Sequence, residues 1–187
     1  NRINKLSKIQ NKQLQIFLND VLIELWQKVK LWSKENWPGS VRSLLDNNLR
    51  ILSPSDFGFH NALIDKNKKL RFFDFEYFGW DDPVKLVNDF IWHPGMNISE
   101  KNKQFWLNKA YDLFSVNDMN YKKRLDSSWP VFGIKWALII LNEFDENIWN
   151  KRSLVNNFRP EKKHLILKQQ QNKSKNICEI IIKKIGF

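Results

Sequence analysis

Three oxygen-bearing side chains sit at a spacing that chemistry can use: Asp56, Asn61 after a gap of four residues, and Asp74 further on. Moving a phosphoryl group from a nucleotide to a hydroxyl needs little covalent chemistry from a protein. It needs a carboxylate to accept or orient the hydroxyl proton, and hard oxygen donors for Mg²⁺. An Asp, an Asn and a second Asp supply that set. The stretch Ser53-Pro54-Ser55-Asp56-Phe57-Gly58-Phe59-His60-Asn61 reads as a loop, and Phe72-Phe73-Asp74-Phe75-Glu76 as the end of a strand. A carboxylate between Phe73 and Phe75 is costly unless it is paired or bound to metal, which makes Asp74 a metal-ligand candidate with Asn61.

The elements around these residues must bring them together. A brief strand is expected over 49–53 and a short one over 62–64. A turn follows at 65–68, then a second strand over 70–75. This small hairpin cancels the sequence distance between Asp56 and Asp74. Residues 79–83 read as a loop, and 84–92 as a helix started by Asp82-Pro83.

Apolar residues at Leu14, Leu18, Val21, Leu22, Leu25, Trp26 and Val29 predict an amphipathic helix over 11–33. A short helix is expected over 41–47, after the Pro38-Gly39 break. Ser99 is expected to cap a helix over 100–114. Ser127 or Ser128 is expected to cap a helix over 129–144, apolar nearly all round and therefore buried. A last helix is expected over 161–185. The fold class is mainly α with one small β-hairpin, in a single domain spanning 1–187.

The hairpin region resembles the aminoglycoside phosphotransferase and choline kinase group of the protein-kinase-like fold. Those enzymes share an Asp, a four-residue gap, an Asn, and a later Asp ending a strand. The resemblance covers about 51–92. It implies that Asp56 is the catalytic base, that Asn61 and Asp74 hold Mg²⁺, and that Asp82 and Asp89 give structural support to the catalytic loop. It implies ATP or GTP as phosphoryl donor and a small-molecule hydroxyl as acceptor, of the sugar, aminoglycoside or amino-alcohol class. Two positions depart from the pattern: Pro54 stands where the group carries a His, and Ser55 replaces a Gly or Asn. The chain has no Gly-rich phosphate loop. The resemblance therefore implies the catalytic C-terminal lobe of the fold, its nucleotide-binding N-terminal lobe missing from this chain and its activity dependent on that lobe.

Glu76 and Trp80 are the substrate-binding candidates. Trp80 belongs to an aromatic group with Phe57, Phe59, Tyr77 and Phe78. Such a group can pack the core and rim, or wall a sugar or cationic amine through cation–π contact. Asp81 reads as a solvated carboxylate. His60 reads as a hydrogen-bonded loop residue. His93 and His164 read as structural or exposed, and the three His with one Cys have no zinc spacing.

Charge is unevenly placed. Residues 151–187 carry ten Lys/Arg against two Asp/Glu, and 51–100 carry five against eight. A basic tail suits a solvated helix face more readily than nucleic acid, for which no recognised motif appears. The lone Cys178 excludes an internal disulfide, which fits a cytoplasmic protein. No secretory signal or membrane-spanning run is read, the longest apolar stretch (129–141) being interrupted by Lys135. The rival to an enzyme lobe is a non-catalytic binding module built on the same lobe. A basic nucleic-acid binder is the remaining alternative.

Overall fold

A computed structural model describes residues 2–156 and 160–187. They form a mainly helical α+β chain with two small antiparallel sheets. They group into two compact units, one made of the residues up to Leu31 and from Gly133 onward, the other of Trp32–Phe132.

The first unit is helical. Helix α1 (Arg2–Leu6) precedes α2 (Lys12–Phe17), whose cap Asn11 accepts the Leu14 amide at 3.0 Å. Helix α2 runs through a π-helical stretch (Leu18–Ile23) into α3 (Glu24–Asn36). Leu14, Leu18 and Leu22 are fully buried. Steps of four overshoot a 3.6-residue turn by about 40° each, and the wider π turn returns Leu22, Leu25 and Val29 to the buried side. The end of α6 (Tyr121–Ile140), a 3₁₀ turn (Leu141–Phe144), α7 (Glu146–Asn156) and α8 (Lys163–Ile185) complete the unit. Ser174 of α8 donates to the Ala137 carbonyl at 3.0 Å, and Gln171 donates to that of Gln13 at 3.0 Å. Cys178 is buried, which pushes its thiol up to about 12 and keeps it un-ionised at neutral pH.

The second unit carries the hairpin region. Strand β1 (Ile51–Ser53) pairs with β4 (Gly79–Asp81), and β2 (Ala62–Ile64) pairs with β3 (Leu70–Phe72). The sheets are nested: the chain leaves β1 through loop 54–61, turns through β2 and β3, and returns by loop 73–78 to β4. Helices α4 (Pro83–Trp92) and α5 (Glu100–Phe114) follow, and the first part of α6 closes the unit. Its core joins Val84, Val87, Ala110, Tyr121 and Leu125. The Asn88 amide donates to Ser128 Oγ at 3.0 Å, and the Trp92 indole to the Trp129 carbonyl at 2.9 Å.

Several expectations are corrected. The expected helix over 41–47 is absent. Ser40 Oγ accepts the Arg42 amide and the Ser40 carbonyl accepts the Ser43 amide, so turns form, and only Asn47–Leu49 is 3₁₀. Residues 79–81, read as loop, are a strand because β1 provides a partner. The strand expected over 70–75 stops at Phe72, and Asp74 has φ 63°. Ser127 and Ser128 are not caps: α6 starts at Tyr121 and both hydroxyls bond back to carbonyls a turn earlier. Helix α7 was not anticipated.

Among the described residues, no helix is long and apolar enough to cross a membrane.

Candidate functional site

The nested pairing sets the site. Ser53 lies opposite Gly79 at one end of the two loops, and Ala62 opposite Phe72 at the other. The Phe73 amide donates to the Asn61 carbonyl at 3.0 Å, carrying the β2–β3 ladder one step further. Asn61 is thereby registered against the residue next to Asp74. The sequence distance between the two is removed by a backbone hydrogen bond.

Loop 54–61 is tightly held. The Asp56 amide donates to the Pro54 carbonyl at 2.7 Å across Ser55, whose φ is 61°. This is a γ-turn with a positive central φ, a strained form. A non-glycine residue there costs about 1–3 kcal/mol and persists only where its surroundings enforce it. The enforcement is visible. The Lys85 ammonium of α4 donates to Ser55 Oγ at 3.0 Å and lies 3.3 Å from Asp81 and 3.6 Å from the buried Asp89. Ser55 Oγ in turn donates to Asp81 at 3.2 Å. Asp81 is therefore a paired, half-buried group and not the solvated carboxylate expected. Lys85 was missed in the sequence; only its place one turn after Asp81 and one turn before Asp89 could have marked it.

Asp56 itself is half-exposed. Its Oδ1 lies 3.1 Å from His60 Nε2, and the Asn61 amide donates to its carbonyl at 3.0 Å. Phe57 turns inward and stacks on Phe72 at 4.7 Å, anchoring the loop on the aromatic core. Asn61 is buried, with its amide nitrogen spent on Asp56, so its carbonyl oxygen is the atom left for a ligand.

Asp74 is exposed, as are Phe73 and Phe75. The expectation of a carboxylate forced into apolar surroundings is thus corrected. Asp74 and Ser55 share a positive φ; the only other non-glycine residue with one, among those described, is Lys68 in the β2–β3 turn. Tyr77 in loop 73–78 senses the charge of carboxylates from both loops. Its phenol is held above the ordinary tyrosine range, first by its hydrogen bond with Glu76 and that residue's charge, then by burial and by the charges of Asp74 and Asp56. Glu76→Gln should therefore lower the pH at which Tyr77 ionises, and Asp74→Asn and Asp56→Asn should lower it less. Phenolate absorbance near 295 nm measures this in metal-free buffer. No change in either Asp variant would place those carboxylates away from Tyr77.

The other expected residues divide. Glu76 bonds Tyr77. Trp80, exposed on β4, lines a cavity of about 480 Å³ with Trp37, Asp46, Asp81, Asp82 and Arg124. Asp82 caps α4, accepting the Val84 amide at 3.0 Å, and also takes the Arg124 guanidinium at 2.8 Å. Asp89 sits on α4, 3.6 Å from the Lys85 ammonium that donates to the strained Ser55.

The ligating atoms of Asp56, His60 and His93 lie within 4.8 Å of one another. Their directions do not suit one ion. The imidazole rings stack at 3.9 Å with planes 3° apart. Ring lone pairs lie in plane, so a single ion cannot face both. His93 Nδ1 already accepts the Gly95 amide at 3.0 Å, which puts the proton of its neutral form on Nε2.

Compared with known proteins, the chain matches no family model, no curated protein and no solved structure.

Proposed function

We propose that the second unit is the catalytic centre of a nucleotide-dependent phosphotransferase acting on a small-molecule hydroxyl, with the architecture of a protein-kinase-like C-terminal lobe. The observation that carries the reading is the registration of loop 54–61 against loop 73–78. It sets Asn61 beside Asp74 and joins Asp56 to Asn61 by a hydrogen bond.

Asp56 is the base: a carboxylate half open to solvent, held on one oxygen and able to take a hydroxyl proton on the other. Asn61 Oδ1 and the Asp74 carboxylate are hard oxygen donors and fit Mg²⁺. The Asp74 carboxylate is exposed and has no hydrogen-bonding or charged partner among the described residues, so a ligand displaces nothing. The chemistry a magnesium ion would supply there is neutralisation of phosphate charge. Lys85, Asp81 and Asp89 hold the γ-turn that aims Asp56. Trp80 and the carboxylates of the neighbouring cavity suit an acceptor with an apolar or cationic face, of the sugar, aminoglycoside or amino-alcohol class. Asp81 links that cavity to Ser55, the residue before Asp56.

The test is ³¹P NMR of the protein with ATP or GTP, Mg²⁺ and a panel of such acceptors. A phosphomonoester should form, and Asp56→Asn should suppress it. Nucleotide that binds with no transfer to any acceptor would favour a binding module, and transfer that survives Asp56→Asn would displace Asp56 from its role.

A further inference from the structure

We infer that His60 is the positioning residue of Asp56, and that it assigns the two carboxylate oxygens different tasks. Oδ1 is the held atom and Oδ2 the reacting one. The inference rests on the phosphotransferase reading for its kinetic consequence, and on geometry alone for the hydrogen bond.

His60 Nε2 is 3.1 Å from Asp56 Oδ1. His60 Nδ1 is buried and has no hydrogen-bond partner. These facts fix the neutral tautomer. A proton on Nδ1 would bury an unpaired donor and aim the Nε2 lone pair at a carboxylate, two unfavourable arrangements together. A proton on Nε2 gives a charge-assisted hydrogen bond and leaves only an acceptor unpaired. His60 therefore donates to Asp56.

The donor is held rigidly. On one face the ring stacks on His93 at 3.9 Å, and His93 is pinned by the Gly95 amide at 3.0 Å. Gly58 packs against the ring so closely that an added Cβ would come within 2.7 Å of the His60 ring and of the Met96 sulfur. The backbone at Gly58 is extended, so this position is limited by space and not by φ. A ring wedged in this way cannot follow Asp56 if its carboxylate rotates; the carboxylate must conform to the ring. Asp56 Oδ2 has only a 3.5 Å contact with the Asn61 amide, so it is the oxygen free to meet a hydroxyl.

The experiment has two arms. In the chain itself, long-range ¹H–¹⁵N correlation of the histidine rings should show His60 as the Nε2–H tautomer. An Nδ1–H pattern would overturn the assignment whatever the activity. In kinetic assays, His60→Leu should lower kcat about 10–100-fold, the range expected when a reacting group is misplaced by about 1 Å. KM for nucleotide should stay within about 2-fold. His60→Gln, whose amide can still donate to Oδ1, should return kcat to within about 3-fold of wild type. Gly58→Ala, which displaces the ring without removing it, should fall between the two. Equal loss in His60→Gln and His60→Leu, or loss in KM instead of kcat, would reduce His60 to a packing residue. If wild type transfers no phosphate, the functional reading fails; the Nε2–H tautomer then stands as a structural hydrogen bond, and the kinetic role falls with that reading.

Discussion

Replacing Arg124 with Met is expected to destabilise the protein by about 3–5 kcal/mol, the range for removing one partner of a buried ion pair. The Arg124 side chain is 6% exposed and bridges Asp118, 5% exposed, and Asp82, 22% exposed. Burial alone would make its guanidinium easier to deprotonate. The hydrogen bonds it donates to Asp118 and Asp82 reverse that and hold it charged more firmly than usual. Each carboxylate also serves a helix start. Asp82 caps α4, and Asp118 accepts the Asn120 amide just before α6. With Met at 124, two nearby carboxylates keep their burial and lose their shared cation. At about 2–4 °C per kcal/mol for a chain of this size, the midpoint of thermal unfolding should fall by about 6–20 °C. Adding Asp118→Asn to the Met variant should recover part of the loss, because it removes one of the stranded charges. A single variant within about 1 kcal/mol of wild type would show that the bridge is dispensable.

The second large effect is on rate. Asp56→Asn is expected to lower kcat by about 10²–10⁴-fold, the usual contribution of a positioned general base. The variant keeps the shape of the side chain, and its amide oxygen can still take the His60 proton. Substrate binding should therefore change little, and the loss should appear in kcat and in kcat/KM equally. Thermal stability should stay close to wild type, since Asp56 is half-exposed. A large fall in stability, or a KM effect with kcat intact, would make Asp56 a structural or binding residue.

Helices with strong apolar periodicity and a capping residue were legible: Ser99 caps α5, and Asp82-Pro83 starts α4, as expected. The β2–β3 hairpin was legible because its turn and apolar runs are local signals. The β1–β4 pair was not. Each strand is three residues long and finds its partner across the whole hairpin, a tertiary choice that neither segment announces. The start of helix α6 was read too late because Ser127 and Ser128 resemble caps. Their hydroxyls instead bond back along the helix. At the site, residue types and spacing singled out Asp56, Asn61 and Asp74. They could not reveal the strained Ser55 turn, the Lys85 clamp on it, or the wedged His60 ring. Each of these depends on contacts between α4, or the turn after it, and a loop about thirty residues earlier.

In the proposed mechanism, Asn61 and Asp74 form one divalent-cation site beside Asp56. Mn²⁺, a paramagnetic stand-in for Mg²⁺, tests it most directly. In ¹H–¹⁵N spectra of the chain, low Mn²⁺ should broaden the amide signals of residues 61 and 73–75 first. Asp74→Asn should abolish that selectivity, and added Mg²⁺ should compete it away. Broadening that begins instead around Asp46 and Asp118 in the cavity, or that is unchanged by Asp74→Asn, would contradict the account.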